Sequence, residues 1–528
     1  MALFTILSTV GVMLCTSFGY LVHTVYTHRR KINELRQQGV PMPKEWSWVT
    51  GHLLVLQKYV DRIPPDAAVA FAMCDLSQEY ADTEVFLMDF WPVYPALFTL
   101  FGPEPITQVC NKYNLPKTSV QSSSMKPRSL FNPGFSTGAM LNNVPHIVDS
   151  ALVFREKLIE NVGKGMVLLD ELTTKLAMEV ILKVTLDDDS NYQRSPHVLP
   201  TALGRILRWH SFWDPRVLLH PLRPFLVKRF DEIKAAGSSD TLPRKSKDIK
   251  SIITLAIEAY LDEQHTKEGT PEKYVLDERF VAYATSQIRL FLFAGTDTSS
   301  SMMVYIYHML AKHPDWLRQL RNEHDEIFGH HPTEAAGLLK DTPSLLNSCN
   351  LTLAFIKETL RLYAPAGTMR SGLPGMTVTD LQGHEQPIQY AGANVLHQAL
   401  HVNPRVWPRA NDFLPERFLV EPGHELYPDA TAFRPFEQGS RNFIGQTLVW
   451  NELRVVVIMT CRDLEIRDAY DDFDAMKQRQ VAVWGRWKTS LCGEPIKTVH
   501  GDRAYQTDSG GLHPVDGYPC HVQWARDS

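Results

Sequence analysis

The sequence predicts a mainly helical protein with a small β-rich subdomain near its N-terminus, preceded by a transmembrane helix. Three stretches support this fold class: the apolar-periodic run at 279–312, the apolar segment at 447–460 and the aromatic-rich segment at 84–97. The first two have the spacing and length of buried helices, whereas the third has the composition of strands. With Pro103 at a helix start, the third stretch predicts short strands followed by a helix.

Composition indicates a large globular chain with free thiols. The 528 residues are 44% hydrophobic, which is enough to bury an extensive core. The net charge is −5 and no long basic block is present, so nothing in the sequence indicates nucleic-acid binding. The seven cysteines are scattered without C-x-x-C spacing. This pattern is typical of a reducing compartment and argues against a disulfide framework or a zinc site.

The first apolar segment, residues 3–25, has the length of a membrane span. It is uncharged, and a bilayer crossing needs roughly 20 apolar residues. A basic cluster at 28–31 follows at once, and such clusters mark the cytoplasmic side. A cleaved signal peptide is the alternative, but its basic residues would precede a shorter apolar core. The sequence therefore predicts a transmembrane anchor at 1–27, a basic, proline-containing connector at 28–50 and a cytoplasmic main domain at 51–528.

The loop at 436–445, FEQGSRNFIG, leads directly into the apolar segment at 447–460. Gly439 permits backbone conformations closed to other residues, Gly445 allows close packing, and Arg441 offers a rigid fork for a carboxylate. The helix N-terminus that follows favours negative charge, so such a loop could present an anionic metal ligand. The pattern resembles the haem-binding loop of cytochromes P450, F-x-x-G-x-R-x-C-x-G, except that Phe443 replaces the iron-ligating cysteine.

A second motif, AGTDTSS, lies in the middle of the run at 279–312. A threonine inside a helix can bond back to a carbonyl one turn earlier, which loosens the helix locally. The motif resembles the oxygen-activation motif of cytochromes P450. The resemblance implies that Asp297 and Thr298 are the acid and the threonine that relay protons during oxygen activation.

Two further motifs resemble the E-x-x-R and P-E-R-F elements of the family. Glu358 and Arg361 lie at i and i+3 of a predicted helix, a spacing that lets the two side chains pair. Arg417 belongs to PERF, and the resemblance implies a buried network of these three residues that fixes the haem-binding segment. The resemblance also implies a cofactor-binding set, in which the arginines bind the haem propionates: Arg128, Arg370, Gly439, Arg441 and Gly445.

Phe443 is the main departure from the family pattern, because a phenylalanine has no lone pair for iron. Haem iron takes its protein ligand from His, Cys, Met or Tyr, and positions 437–447 contain none of these. The next thiol downstream, Cys461, would lie about 27 Å away along a continuous helix with a rise of roughly 1.5 Å per residue. No metal ligand is therefore predicted, and the retention of haem is left in question.

The second departure lies in the segment before residue 135. Where the family has W-x-x-x-R, Ser124 stands four residues before Arg128, and Pro127 would disrupt a helix there. The segment looks shortened. The phrase FNPGF nearby resembles a fungal secondary-metabolism branch of the family. The aromatic and basic segment at 201–230 fits either a membrane-resting surface or an ordinary packed helix pair.

Three functions remain open at this point. The first is a P450-like protein of secondary metabolism that has lost haem-thiolate monooxygenation. The second is an active monooxygenase that hydroxylates a polyketide or terpenoid, which requires Phe443 and the short segment to be sequence errors. The third is a haem-independent isomerase, cyclase or ligand-binding protein. The resemblance implies a single-pass protein of the endoplasmic reticulum membrane, a small hydrophobic substrate and, if the protein is active, an NADPH-dependent reductase as partner.

Overall fold

The computed structural model describes residues 2–117, 131–197, 227–228, 230–231, 251–268, 277–331, 333–480, 496–508 and 511–525. The α-helices are α1 Ala2–Gln37, α2 Leu53–Val60, α3 Val69–Ser77, α4 Pro103–Thr107, α5 Thr137–Asn142, α6 Val144–Glu160, α7 Leu169–Leu186, α8 Ile252–Glu268, α9 Glu278–Lys312, α10 Pro314–Phe328, α11 Glu334–Asp341, α12 Asn350–Leu362, α13 His397–His401, α14 Gln446–Thr460 and α15 Tyr470–Gln480. The strands are β1 Val85–Met88, β2 Leu97–Leu100, β3 Met166–Leu168, β4 Thr368–Ser371, β5 Thr377–Thr379, β6 Glu385–Pro387, β7 Gly392–Val395, β8 Leu464–Asp468 and β9 Pro519–Trp524.

The strands form small sheets beside a larger helical body. β1, β2, β7 and β4 form one sheet in that order; β7 runs parallel to β2, and the other neighbours are antiparallel. β3, β9 and β8 form a second antiparallel sheet, and β5 pairs with β6. The short strands predicted for 84–97 and the helix predicted near Pro103 are confirmed as β1, β2 and α4, although β2 extends from Leu97 to Leu100.

The central helix α9 confirms the prediction for 279–312: apolar side chains recur along its buried face, and buried polar residues interrupt them at 296–301. Its first turn is capped by Asp277, whose side chain accepts a hydrogen bond from the Arg279 backbone N–H at 3.0 Å. α9 packs along α7 and also contacts α14, the helix predicted after the loop at 436–445. These helices enclose the main hydrophobic core and position the two motif-bearing segments against each other.

The N-terminal helix α1 contains the predicted anchor. Across the residues that the structure describes, no helix is both long enough and apolar enough to cross a bilayer. The predicted transmembrane helix is therefore not supported.

The end of α1 packs against the first sheet. Arg29 and Asp89 form a fully buried ion pair, and Nε1 of Trp46 donates to the same carboxylate at 2.9 Å. Residues of the predicted connector share an apolar cluster with β1 and β2: Ile32, Leu35, Val40 and Met42. The proposed boundaries at residues 27 and 50 stay a prediction, as does any role for Arg128 and most of 201–230, which lie outside the described residues.

Candidate functional site

A cavity of about 550 Å³ lies between α9, α14 and the loop at 436–445. Its walls are largely apolar, with aromatic rings from three parts of the chain: Phe131, Phe135, Phe291 and Phe443. Arg441 and Gly445 line it from the loop, and Ala294 and Gly295 line it from α9. The structure thus brings the loop motif and the α9 motif to one cavity, and its size is within the range of ligand pockets.

Backbone geometry explains the two predicted glycines of the loop. Gly439 has φ +79°, a left-handed conformation that favours glycine, and a Cβ there would lie 3.3 Å from the carbonyl oxygen of Cys110. Gly445 precedes the first residue of α14, and a Cβ there would lie 3.2 Å from the ring of Phe443. The Phe443 backbone N–H donates to the Phe436 carbonyl at 2.9 Å, which closes the loop.

The ring of Phe443 occupies the predicted ligand position and stacks on the ring of Phe436, with 6.1 Å between their centroids. Among the described residues that line the cavity, none is Cys, His, Met or Tyr. The thiol of Cys110 lies near the loop but donates to Oε2 of Glu437 at 3.4 Å. Burial, reinforced by the Glu437 charge, raises the pKa of Cys110 to about 11, so this thiol stays protonated near neutral pH.

Cys461 ends α14 and is buried at the far end of that helix. Its sulfur lies 3.6 Å from Nδ1 of His324. Burial raises the pKa of the Cys461 thiol to about 12. Neither Cys110 nor Cys461 is among the described residues that line the 550 Å³ cavity.

Two predicted cofactor-binding arginines have nitrogen atoms without partners. Arg370, on β4, is fully buried, and its Nη1 makes one long hydrogen bond of 3.5 Å to the Leu115 carbonyl. Its Nε and Nη2 have no hydrogen-bond partner, and neither has Nε of Arg441. An unpaired buried guanidinium is costly, and a carboxylate is the group that its fork matches. The backbone of Arg370 is bridged to that of Lys117, which lines the cavity.

The predicted proton-relay pair has other partners in the structure. Oγ1 of Thr298 donates to the Ala294 carbonyl one turn earlier at 2.7 Å, as predicted for a threonine in mid-helix. Asp297 is buried, and its Oδ1 lies 3.0 Å from Nε2 of His513, whose Nδ1 lies 2.6 Å from Oδ1 of Asp170. Burial lowers the pKa of His513, but the two carboxylates outweigh it and raise that pKa to about 10.

His513 therefore carries a positive charge between two carboxylates and holds the C-terminal segment against α9. The approach is close, because a Cβ at Gly511 would fall within 2.3 Å of Oδ2 of Asp297. Neither Asp297 nor Thr298 lines the 550 Å³ cavity, whereas their neighbour Ser299 does.

The structure brings Glu358, Arg361 and Arg417 together in full burial. Arg361 binds Glu358 through two parallel bonds, Nε to Oε2 at 2.8 Å and Nη2 to Oε1 at 2.7 Å. Nε of Arg417 lies 3.3 Å from Oε1 of the same carboxylate, which also accepts the Leu414 backbone N–H at 2.9 Å. Leu414 directly precedes PERF, so the network ties that segment to α12.

Glu452 and Ser299 are two cavity residues that the sequence analysis missed. Glu452 lies on α14, and burial raises the pKa of its carboxyl to about 8; Ser299 is the neighbour that partly offsets this rise. Neither Oε1 of Glu452 nor Oγ of Ser299 makes a hydrogen bond of normal geometry. The signal in the sequence was an acidic residue inside the apolar segment TLVWNELRVVVIMT.

Comparison with known proteins places this geometry in a family. The family model described as Cytochrome P450 matches residues 103–485. The cytochrome P450 monooxygenase polC of Polytolypa hystricis is 34% identical, over 97% of this chain and 94% of its own. The cytochrome P450 monooxygenase acrF of Aspergillus aculeatus is 27% identical, over 87% of this chain and 98% of its own. The crystal structure of the cytochrome P450DA heme domain superposes with a TM-score of 0.66 at 16% identity, over 92% of this chain and 97% of that one.

Proposed function

Because the chain belongs to the cytochrome P450 family, we propose that it is a repurposed P450 of secondary metabolism that has lost haem-thiolate monooxygenation. The cofactor of the family is haem, and a cysteine thiolate bound to its iron supplies the electron density that favours O–O cleavage. The observation that carries the proposal is Phe443, whose ring stands at the ligand position. A hydrocarbon side chain supplies no thiolate.

The residues present fit one end of haem and not the other. Arg370 and Arg441 offer unpartnered guanidinium nitrogens, which suit the carboxylates of the propionate groups. The iron has no matching residue, because the described lining of the cavity contains none of the four residue types that ligate it. The proposal therefore combines loss of the family reaction with retention of the two arginines that suit the propionates.

The absorption spectrum of the reduced, carbon-monoxide-bound protein tests the proposal. We expect that the long-wavelength Soret band of a haem thiolate is absent, and that Phe443→Cys restores part of it. Phe436→Cys is the matched control, since it places a thiol in the same loop beside the ligand position. A thiolate-type spectrum from the unmodified chain, with Phe443 confirmed by mass spectrometry, would overturn the proposal.

An active monooxygenase is the competing proposal, and it is favoured by the two fungal relatives, both cytochrome P450 monooxygenases. Such an enzyme would take electrons from a membrane-bound NADPH reductase and hydroxylate a small hydrophobic polyketide or terpenoid. It requires a cysteine at position 443 and a longer segment before residue 135. Sequencing the transcript over residues 115–135 and 443 distinguishes the two proposals, because only the competing one predicts a difference from the present sequence.

Association with the endoplasmic reticulum membrane is a further part of the proposal. Several large apolar side chains of α1 are more than half exposed, among them Leu14, Phe18 and Tyr20. Exposed apolar patches mark membrane or protein contacts. Deleting residues 1–26 should move most of the protein out of the microsomal pellet, while it keeps the Arg29–Asp89 ion pair. Full retention in the pellet would assign the attachment to another surface.

A further inference from the structure

The end of α1 and two exposed turns are joined through one buried side chain, that of Arg29. Its Nε donates to the Trp48 carbonyl at 3.1 Å, and its Nη2 donates to the carbonyls of Val49 and Trp91 at 3.0 and 2.6 Å. A guanidinium has donors enough to hold several backbone carbonyls in one fixed geometry. The end of α1, the turn at 47–51 and the turn after β1 therefore form one rigid unit.

The turn at 47–51 is closed on itself, which holds its tip outward. The backbones of Ser47 and Gly51 exchange two hydrogen bonds, of 3.0 and 2.8 Å. Gly51 has φ +59°, and a Cβ there would lie 2.4 Å from the Asp89 carbonyl oxygen, so only glycine lets this end of the turn pack so closely. Val49, at the tip, is 79% exposed.

The side chains that this unit presents to solvent are apolar or aromatic. Tyr26, Trp48, Val49 and Val93 are between 46% and 79% exposed, and we call them the N-terminal apolar patch. The ring of Tyr26 stacks on that of Trp48, with 6.2 Å between their centroids. From this stack, exposed apolar side chains continue back along α1: Val22, Leu21, Phe18 and Leu14. Contiguous apolar surface of this kind marks a site of interaction.

We propose that the N-terminal apolar patch docks the main domain onto the lipid bilayer with which α1 associates. This inference rests on the proposed membrane association of α1. The patch is continuous with the exposed apolar side chains of that helix, and tryptophan and tyrosine favour the interface between membrane and water. Arg30 and Lys31 follow on α1, and basic side chains beside an apolar surface attract anionic headgroups. Because Arg29 fixes the unit, docking gives the domain one orientation on the membrane.

Two tryptophans of similar exposure provide the test, because they lie on different sheets or turns. Trp48 is 46% exposed within the patch, and Trp524, at the end of β9, is 50% exposed. The full-length protein is reconstituted into phosphatidylcholine vesicles with and without bromine near the top of one acyl chain. This depth suits apolar side chains that enter a membrane surface by roughly 5–10 Å. Trp48→Phe and Trp524→Phe isolate the fluorescence of each tryptophan by difference. We expect lipid bromine to quench Trp48 and not Trp524.

A charge at the tip of the turn sharpens the test. Val49→Glu should remove most of the quenching of Trp48 by lipid bromine, because a carboxylate resists transfer out of water. The fraction of protein bound to vesicles should stay the same, since α1 is unchanged. Leu338→Glu, at an exposed apolar position on α11, is the matched control and should leave the quenching unchanged. Both positions are exposed, so circular dichroism should show the same fold in both variants.

Equal quenching of Trp48 and Trp524, or unchanged quenching of Trp48 in Val49→Glu, would overturn the docking surface. If the protein binds vesicles while lipid bromine leaves Trp48 unquenched, the patch faces water or another protein, and this inference alone fails. If the protein does not bind vesicles at all, the membrane part of the proposed function fails with it. The Soret band of the same sample decides the loss of haem-thiolate chemistry separately, because it reports the iron ligand.

Discussion

Two arginines, Arg361 and Arg370, are equally and completely buried, but their partners differ. The guanidinium of Arg361 is fully used: two of its nitrogens bind Glu358, and Nη1 donates to the carbonyls of His401 and Ala410 at 2.6 and 2.7 Å. Arg370 leaves Nε and Nη2 unused. We expect the fully paired arginine to stabilise the fold and the arginine with two unsatisfied nitrogens to bind an anion. Equal burial therefore does not mean equal pairing, and variants of the two arginines test whether the difference in pairing is a difference in role.

The largest expected effect follows from removing the shared carboxylate of the paired region. Glu358→Ala leaves Arg361 and Arg417 as uncompensated buried cations, which typically costs about 3–5 kcal/mol. This is a large part of the net stability of a protein. Urea denaturation followed by circular dichroism measures the change. Glu326→Ala, at an exposed position on α10, should shift the unfolding free energy by less than about 0.5 kcal/mol. A loss no greater than this control would contradict a structural role for the network.

A second, smaller effect concerns the His513 cation between Asp170 and Asp297. The pKa of His513 is raised to about 10 in the folded protein. The stabilisation that protonated His513 gives the fold is therefore complete below pH 6.5, its ordinary pKa, and is lost as the pH rises through about 10. Between pH 7 and 10 the unfolding free energy should fall by roughly 3 kcal/mol more than in His513→Gln. The exposed His330→Gln should behave like the unmodified protein. If the unfolding free energy depends on pH in the same way in all three proteins, the His513 ion pairs do not stabilise the fold.

The smallest effect on stability is expected at Arg370, and it should contrast clearly with the effect of the same substitution at Arg361. Arg370→Met removes a buried charge without a partner, so the unfolding free energy should stay the same or rise by about 1 kcal/mol. Arg361→Met is its counterpart and should lose several kcal/mol, on the order of that for a broken buried ion pair. Thermal denaturation of the two variants side by side compares the regions directly.

The same pair of variants separates binding from stability. Metal-free protoporphyrin IX carries two carboxylates and no iron, and its affinity should fall by roughly tenfold in Arg370→Met, as expected for one charge-assisted contact. A large loss of stability in Arg370→Met would show that Arg370 is structural after all. Unchanged porphyrin affinity would show that the unpaired nitrogens do not bind the carboxylates.

The sequence predicts the long elements well, because their periodicity is local. The run at 279–312 becomes Glu278–Lys312, and the apolar segment at 447–460 becomes Gln446–Thr460. The pairing of Glu358 with Arg361 also follows from helical spacing within one turn. These features depend on residues that are close along the chain, where apolar spacing and helix geometry decide the result.

The sequence does not predict contacts between distant segments. Asp297 matches a relay motif, but its partner His513 lies 216 residues downstream, beyond any local pattern. Arg29 is similar: its position after an apolar segment indicates a membrane flank, whereas the fold buries it against Asp89. The unsatisfied nitrogens of Arg370 cannot be predicted either, because the absence of a partner is a property of the packed structure and not of the sequence.

The ring of Phe443 lies close to Gly445 within the loop at 436–445. A Cβ at residue 445 would lie 3.2 Å from the Phe443 ring, and the loop is closed by the backbone bond from Phe443 to Phe436. The absence of a side chain at Gly445 therefore leaves room for the Phe443 ring. Since phenylalanine and cysteine codons differ by one base, a single mutation would exchange the Phe443 ring for a thiol in this loop.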